Sequence, residues 1–387
     1  MHRLYLHIGT PKTGTTSIQN FCHDNIDILH AYGYDYPDLP YRYAKANKLR
    51  NGHFLAGYLH DEEGNRDYEK EDRRIREAFA NLKERFARYD HIILSDEGIW
   101  NRSLKEDCRI WQKVQEEVRT GDFAITVIVY LRPQYDYLYS WWNQRVKQGM
   151  CPEADLTWEE MLARDGVIEL DYYNVLQHIS EFVGKENIIV RIFDRKEFVD
   201  GSLYKDFVQC VGLPHREDYF LSKERHNTSL TRNNGEIKRI LNELPNLDAQ
   251  GNIWFRNVLS SLSEYTPDEV SYSMFTPEEM QSFTEQFRES NIRLETEYLG
   301  RQGTIFTADA KQRQVWKLEQ DELMKSLIRF FGELNLQTKQ QNEQLLQQVS
   351  EMDRRLQKQE RRMEKIWGLC KNPLTIFRSR ARERVSE

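Results

Sequence analysis

The chain has 387 residues, with 55 Lys plus Arg against 62 Asp plus Glu and a formal net charge of −7. That balance argues against whole-chain electrostatic binding of nucleic acid, which needs a basic footprint. Hydrophobic residues make up 39%, enough for one good core, yet the mean hydropathy of −0.77 implies a segment solvated along its whole length. The five cysteines (Cys22, Cys108, Cys151, Cys210, Cys370) are widely spaced, with no CxxC pair or CxxxH cluster. They point to neither a disulfide scaffold nor a zinc site, and fit a reducing compartment. No stretch approaches the roughly 18 apolar residues of a membrane span, and MHRLYLHIGT is too short and polar for a signal peptide. A cytoplasmic chain is the expectation.

In chain order, a predicted strand RLYLHI (Arg3–Ile8) runs into Gly9-Thr10-Pro11-Lys12-Thr13-Gly14-Thr15-Thr16-Ser17, then into a helical pattern carrying Ile18, Phe21, Ile26 and Leu29. Strand, glycine loop, helix is the physical recipe for an anion site. Glycines let backbone amides converge, the helix N-terminus adds partial positive charge, and hydroxyls add donors. Lys12 puts a full charge inside the loop. Gly9 and Gly14 have the spacing of a nucleotide triphosphatase loop, GxxxxGK[ST], but Thr15 stands where its lysine belongs. The displaced lysine suits the bridging oxygen of a shorter anhydride better than a γ-phosphate.

Further along, Ile75, Phe79, Leu82 and Phe86 mark one face of a helix. HIILS (His91–Ser95), AITVIVYL (Ala124–Leu131) and NIIVRIF (Asn187–Phe193) read as buried strands. Val175, Ile179 and Phe182 mark another helix, with Gly184 placed to end it. Thr276-Pro277-Glu278-Glu279 is a capping box that opens a helix carrying Met280, Phe283, Phe287 and Leu294. Strands alternating with helices predict an α/β fold, a mainly parallel sheet with helices on both faces. Beyond about residue 310 the composition turns to Gln, Glu, Lys, Arg and Leu. A heptad fits there, with Ile328, Asn335, Asn342, Val349, Leu356 and Met363 at one core position. Met324, Phe331, Thr338, Leu345, Met352, Gln359 and Ile366 take the other. The expected units are therefore a catalytic-type domain over 1–308, a coiled-coil helix over 309–366 that makes a homodimer or other low-order homo-oligomer, and a tail over 367–387. That tail combines Trp367, Leu369, Leu374, Ile376 and Phe377 with Lys371, Arg378, Arg380, Arg382 and Arg384, a pattern expected at an anionic membrane surface.

Pro11-Lys12-Thr13-Gly14-Thr15-Thr16 resembles the PKSGTT-type loop of sulfotransferases that use 3'-phosphoadenosine 5'-phosphosulfate (PAPS). In that family the loop holds the 5'-phosphosulfate. The family's second element is a strand ending in Arg, followed eight residues later by Ser, and both bind the donor's 3'-phosphate. Here VIVYL ends at Arg132, and Ser140 follows in LRPQYDYLYSWWNQ. Segments 226–242 and 287–306 are similar to late segments of bacterial sulfotransferase-like proteins of polysaccharide gene sets, so the resemblance covers about residues 1–308. It implies the P-loop-like sulfotransferase fold and sulfuryl transfer from PAPS, without a metal, to a carbohydrate hydroxyl or amine in surface polysaccharide synthesis. The expected location is the cytoplasm, peripheral to the inner membrane face.

By that resemblance the binding residues are Pro11, Lys12, Thr13, Gly14, Thr15, Thr16, Ser17, Arg132 and Ser140, with Lys12 on the bridging oxygen. Arg225 and Arg232, flanking the HNTSLT loop, are candidates to close over the 3'-phosphate. The base is Glu97, after the strand HIILS, or His53 in Arg50-Asn51-Gly52-His53, with Glu97 preferred. Of Trp141 and Trp142, at least one is expected in the core, while the other is a candidate to stack on the donor. Two other readings stand beside this one. A P-loop kinase or nucleotide hydrolase would hold magnesium on Asp96, and an inactive scaffold would act through its coiled coil.

Overall fold

A computed structural model describes residues 1–371 apart from 42, 44, 45, 106, 165, 222–228, 266–271, 304 and 307–313. The chain divides into two units, Met1–Leu318 and Glu319–Glu387. In the first, the strands are β1 (His2–His7), β2 (Tyr34–Asp35), β3 (His91–Ser95), β4 (Phe123–Leu131) and β5 (Ile188–Ile192). They form one sheet in the order β2-β3-β1-β4-β5, with every pairing parallel. Four of the five are the apolar runs read from the sequence. The fifth, two residues at the sheet's edge, is too short to leave a periodic signal.

Helices fill the connections. α1 (Thr15–Asp24) and α2 (Ile26–Ala31) follow β1. α3 (His53–Ala56) and α4 (Tyr68–Arg85) precede β3, and α5 (Gly98–Arg102) and α6 (Ile110–Thr120) precede β4. α7 (Gln134–Gln148), α8 (Trp158–Leu162) and α9 (Tyr172–Val183) lead to β5. α10 (Leu203–Val211), α11 (Arg232–Asn242), α12 (Ala249–Tyr265), α13 (Pro277–Glu285) and α14 (Arg288–Leu294) complete the unit. A short strand pair, β6 (Tyr272–Ser273) with β7 (Gln314–Val315), lies among them and beyond.

Alternation along the strands builds two cores. Leu4, Leu6, Ile92, Leu94, Val127, Val129 and Val190 pack under Phe79, Trp111, Val114, Tyr172 and Ile179 of α4, α6 and α9. On the opposite face Tyr5, Ile93, Ile128 and Tyr130 meet Ile18, Phe21, Phe207 and Val211 of α1 and α10. Each fully buried aliphatic or aromatic side chain contributes roughly 1.5–3 kcal/mol. A third cluster, with Leu138, Trp142, Trp158, Phe275 and Met280, joins α7, α8 and α13.

The end signals act as the sequence implies. Gly184 follows α9 with φ 83°, and both bonds of the Thr276–Glu279 capping box are made. The helix read through to Leu294 is, however, two. α13 stops at Glu285, Phe287 caps α14, and the two lie against different partners, α7 and α9. The second unit is α15 (Gln320–Lys371), one helix of 52 residues with Asp321 and Glu322 in its first turn, where acidic groups favour the helix dipole. Residues 372–387, most of the predicted membrane-surface tail, lie outside the described residues.

Candidate active site

In the strand order β2-β3-β1-β4-β5 the chain leaves β1 toward one edge and later returns to β4 on its other side. Open parallel sheets bind ligands in the crevice beyond the carboxyl ends of strands at such a switch. Here the carboxyl ends of β1, β3 and β4 deliver the loop 8–14, Asp96-Glu97 and Arg132 respectively.

Hydrogen bonds to β4 hold the base of the loop. Ile8 N–H donates to the Ile128 carbonyl (3.0 Å), Tyr130 N–H to Gly9 (2.7 Å) and Thr10 N–H to Tyr130 (2.9 Å). The Thr13 and Thr15 hydroxyls both donate inward to the Thr10 carbonyl. Gly9 has φ 104°, and a Cβ there would lie 3.1 Å from Glu97 Cβ, so glycine lets the loop pass against Glu97. Gly14, at φ 75°, caps α1 without any side-chain bond. Among the described residues no protein acceptor takes the amide hydrogens of Thr13–Ser17. An uncapped N-terminus with converging amides favours an anion.

A cavity of about 510 Å³ opens over these amides. Pro11, Lys12, Gly14, Thr15, Thr16, Ser17, Arg50, Glu97, Asn101, Arg132, Ser140, Trp141, Gln144 and Gln148 line it. Lys12 Nζ donates to Gln144 Oε1 at 3.2 Å. Arg132 Nη1 donates to the Lys12 carbonyl at 3.0 Å, tying the two cations together. Burial, then the charges of Lys147 and Arg132, bring the Lys12 ammonium down to about 8, against a smaller upward pull from Glu97. The cavity is thus poised for negative charge.

Two adjacent carboxylates behave oppositely. Asp96 is fully buried and accepts from Arg50 Nε (2.8 Å), Arg50 Nη2 (2.9 Å), His53 Nδ1 (2.9 Å) and Gly98 N–H (2.7 Å). Burial works against its charge, but the His53 bond and the Arg50 guanidinium hold its carboxyl below the ordinary value. Burial and the neighbouring Asp96 charge raise Glu97, with Arg50 opposing. Glu97 keeps 24% of its side chain exposed and faces the cavity. Gln19 Nε2, itself buried, donates to both Glu97 Oε2 and Ser95 Oγ at 3.3 Å.

Of the residues expected from the sequence, Pro11, Lys12, Gly14, Thr15, Thr16, Ser17, Glu97, Arg132 and Ser140 meet around this one cavity. Ser140 lies in the second turn of α7 rather than at its start. Thr13 is buried and supports the loop from within. His53 does not line the cavity. It packs edge-on against Tyr43 and braces Asp96. Arg232 is also elsewhere, donating to the Tyr272 carbonyl at 2.7 Å with its guanidinium over the Tyr139 ring, while Arg225 lies outside the described residues. The tryptophans divide. Trp142 is core, with Nε1 bonded to the Leu156 carbonyl, and Trp141 lines the cavity.

Arg50, Gly98, Asn101, Gln144, Gln148 and Ser229 also line the cavity, and motif reading singled out none of them. For Gln144 and Gln148 a signal existed, since Ser140, Gln144 and Gln148 step by four along α7 and share a face. Arg50 gave none. It arrives because Asn51 stitches its turn to β3, donating to the Ile93 carbonyl (3.0 Å) and accepting from Ser95 N–H (2.8 Å).

No protein-family model matches the chain. A relative from Archaeoglobus fulgidus, described only as an uncharacterized protein, is 28% identical over 239 residues; the match spans 61% of this chain and 61% of the relative's length. Among solved structures the chain is similar to a sulfotransferase from Alicyclobacillus acidocaldarius, at 14% identity and a TM-score of 0.33, over 57% of this chain and 85% of that one.

Proposed function

We propose that this protein transfers a sulfuryl group from PAPS to a hydroxyl or amine of a carbohydrate. The observation that carries the reading is the loop itself: unpaired amides of an uncapped helix N-terminus, with Lys12 inside the loop and bound through its carbonyl to Arg132. These groups fit a phosphosulfate. The amides and the Thr16 and Ser17 hydroxyls would take its oxygens, and Arg132 with Ser140 would take the 3'-phosphate of the same donor. In the transfer, the acceptor oxygen forms a bond to sulfur as the bond from sulfur to the bridging oxygen breaks. Glu97 receives the acceptor's proton, and the Lys12 ammonium neutralises charge building on the bridging oxygen. The raised carboxyl of Glu97 and the lowered ammonium of Lys12 suit those roles near neutral pH. The carbohydrate class and a role in polysaccharide synthesis rest on the sequence resemblance of segments 226–242 and 287–306, and a place at the inner membrane face rests on the apolar and basic pattern of the tail over 367–387.

A kinase or nucleotide hydrolase is the less favoured reading because Asp96, its metal ligand, is already committed to Arg50, His53 and the Gly98 amide. Calorimetry in the presence of a chelator decides between them. Adenosine 3',5'-bisphosphate is expected to bind, Arg132→Ala to weaken it by about 1.5–3 kcal/mol, and ATP with magnesium to bind far more weakly. Tight magnesium-dependent ATP binding, or unchanged bisphosphate affinity in both Lys12→Ala and Arg132→Ala, would overturn the donor assignment.

A further inference from the structure

From residue 338 to residue 364 every position of α15 is exposed. A bare helix in water gains little from its own backbone and is marginal even in favourable sequences. Free-standing single helices compensate with dense charge pairs one turn apart. This stretch has few, with Lys339–Glu343 and Arg355–Glu351 the four-residue ion pairs among the described residues, and much of the remainder is glutamine. Something else must hold it.

The covering surface is marked out on the helix. Met324, Ile328, Phe331, Leu345, Val349, Met352, Leu356, Met363 and Ile366 are 56–67% exposed, and all sit on the single seam that alternating steps of three and four residues generate. From 337 to 364 the three positions farthest from that seam hold only Gln, Glu, Lys, Arg and Ser. From 337 to 364 the seam is therefore narrow and straight, with Leu346, 69% exposed, directly beside it, as a two-stranded coil requires, rather than the broad apolar face of a helix laid on a globular core.

We propose that α15 pairs with the α15 of a second copy of this chain, parallel and in register, over residues 324–366. The polar seam residues select that partner. Asn335 and Asn342 recur at the same heptad position, and in a parallel in-register pair each meets its own equivalent and can share an amide hydrogen bond. An antiparallel pair sets that position against the other, placing the asparagines among residues such as Leu345 and Met352, and an apolar foreign helix would strand them likewise. The flanking charges agree. In the parallel register Arg355 of one copy faces Glu360 of the other, Gln348 faces Asp353, and no like charges oppose.

The pairing stands or falls independently of the sulfuryl-transfer reading, because its test reads mass and cross-linking. Light scattering of the full chain at micromolar concentration should give twice the chain mass. Val349→Glu with Leu356→Glu should halve it while leaving the thermal transition of the first unit in place. Met352→Cys should form a disulfide-linked dimer under mild oxidation well beyond the parent chain, and Arg354→Cys, on the outer face, should not. Asn342→Ile should keep the association but admit trimers or larger species. A monomeric full chain, a dimer that survives the double glutamate substitution, or cross-linking no better at 352 than at 354 would each overturn it.

Discussion

Lys12 is held in a strained position, with φ 67° in a side-chain-bearing residue, half-buried beside Arg132 and within reach of Lys147's charge. Its ammonium is therefore less favoured in the fold than in the unfolded chain, with a folded value of about 8 against an ordinary 10.5. The unfolded chain binds the proton more tightly, so the charge opposes folding fully below pH 8 and is relieved as the pH rises from 8 to 10.5. Lys12→Met should accordingly abolish turnover and yet raise stability at pH 7 by about 1–3 kcal/mol, read from urea titrations. A less stable Lys12→Met protein would mean that the loop does not bear this electrostatic load. At Glu97 the expectation is a loss of ~10²–10⁴ in turnover for Glu97→Gln with donor affinity kept. The rising limb of the wild-type pH profile should fall above the ordinary Glu range because that carboxyl is raised. His53→Ala should act differently. It removes one donor from the fully buried Asp96, so stability should fall by about 1–3 kcal/mol, with turnover less affected than in Glu97→Gln. The reverse ranking would make His53 the base.

Between β1 and α1 the conformation of one glycine aims the site. Gly14 at φ 75° lets the chain turn into α1 with its first amides directed at the cavity, and a Cβ there would fall 2.5 Å from Leu203 Cδ2 of α10 and 3.1 Å from the Phe193 ring. Gly14→Ala should therefore both strain the backbone and push α1 away from α10, costing about 1–3 kcal/mol. It should also weaken adenosine 3',5'-bisphosphate binding in calorimetry; unchanged affinity would show that these amides do not contact the ligand. Much of this element was legible beforehand, because a buried strand, two glycines, a lysine and a helix start lie within one short segment and each signal is local. What stayed hidden depends on distant parts of the chain. Arg50 reaches Asp96 across 46 positions through the bonds of Asn51. His53 is a candidate base by the family resemblance, and only the fold turns its Nδ1 to Asp96. The break at Gln286 was invisible because Phe283, Phe287 and Leu294 keep an apolar rhythm across it. Docking on α7 and on α9, not the local sequence, separates the two helices.

At the scale of the whole molecule, the response of stability to acid should expose a residue that the chemistry does not use. His7 is fully buried in the centre of the sheet. Its Nδ1 lies 2.9 Å from Ser95 Oγ, its ring is edge-on to Tyr130 and Phe207, and Nε2 has no acceptor among the described residues. Burial, only partly offset by the Asp96 charge, brings its imidazolium from 6.5 down to about 3. The folded state thus keeps His7 neutral where the unfolded chain protonates it, and stability present above pH 6.5 is lost progressively as the pH falls toward about 3, by up to about 1.4 kcal/mol per pH unit. Asp96, lowered from 3.8, adds a loss of the same sign at the acid end of that window. Glu97 acts oppositely. Its raised carboxyl gives stability that is complete below 4.5 and lost as the pH rises through its folded value. Between pH 6.5 and 4.5 the wild-type slope therefore combines the His7 loss with one of the same sign from His91, whose imidazolium burial also disfavours, and is reduced by Glu97 and by Glu169, which burial likewise raises. His7→Asn keeps a polar atom near Nδ1, removes the titration, and leaves a small cavity that lowers stability at every pH. Urea titrations from pH 7.5 to 4.5 should show this variant starting lower and then losing clearly less stability on acidification than the wild type. Parallel curves for the two proteins would mean that His7 takes up its proton in the folded state, and that the acid sensitivity of the sheet arises elsewhere.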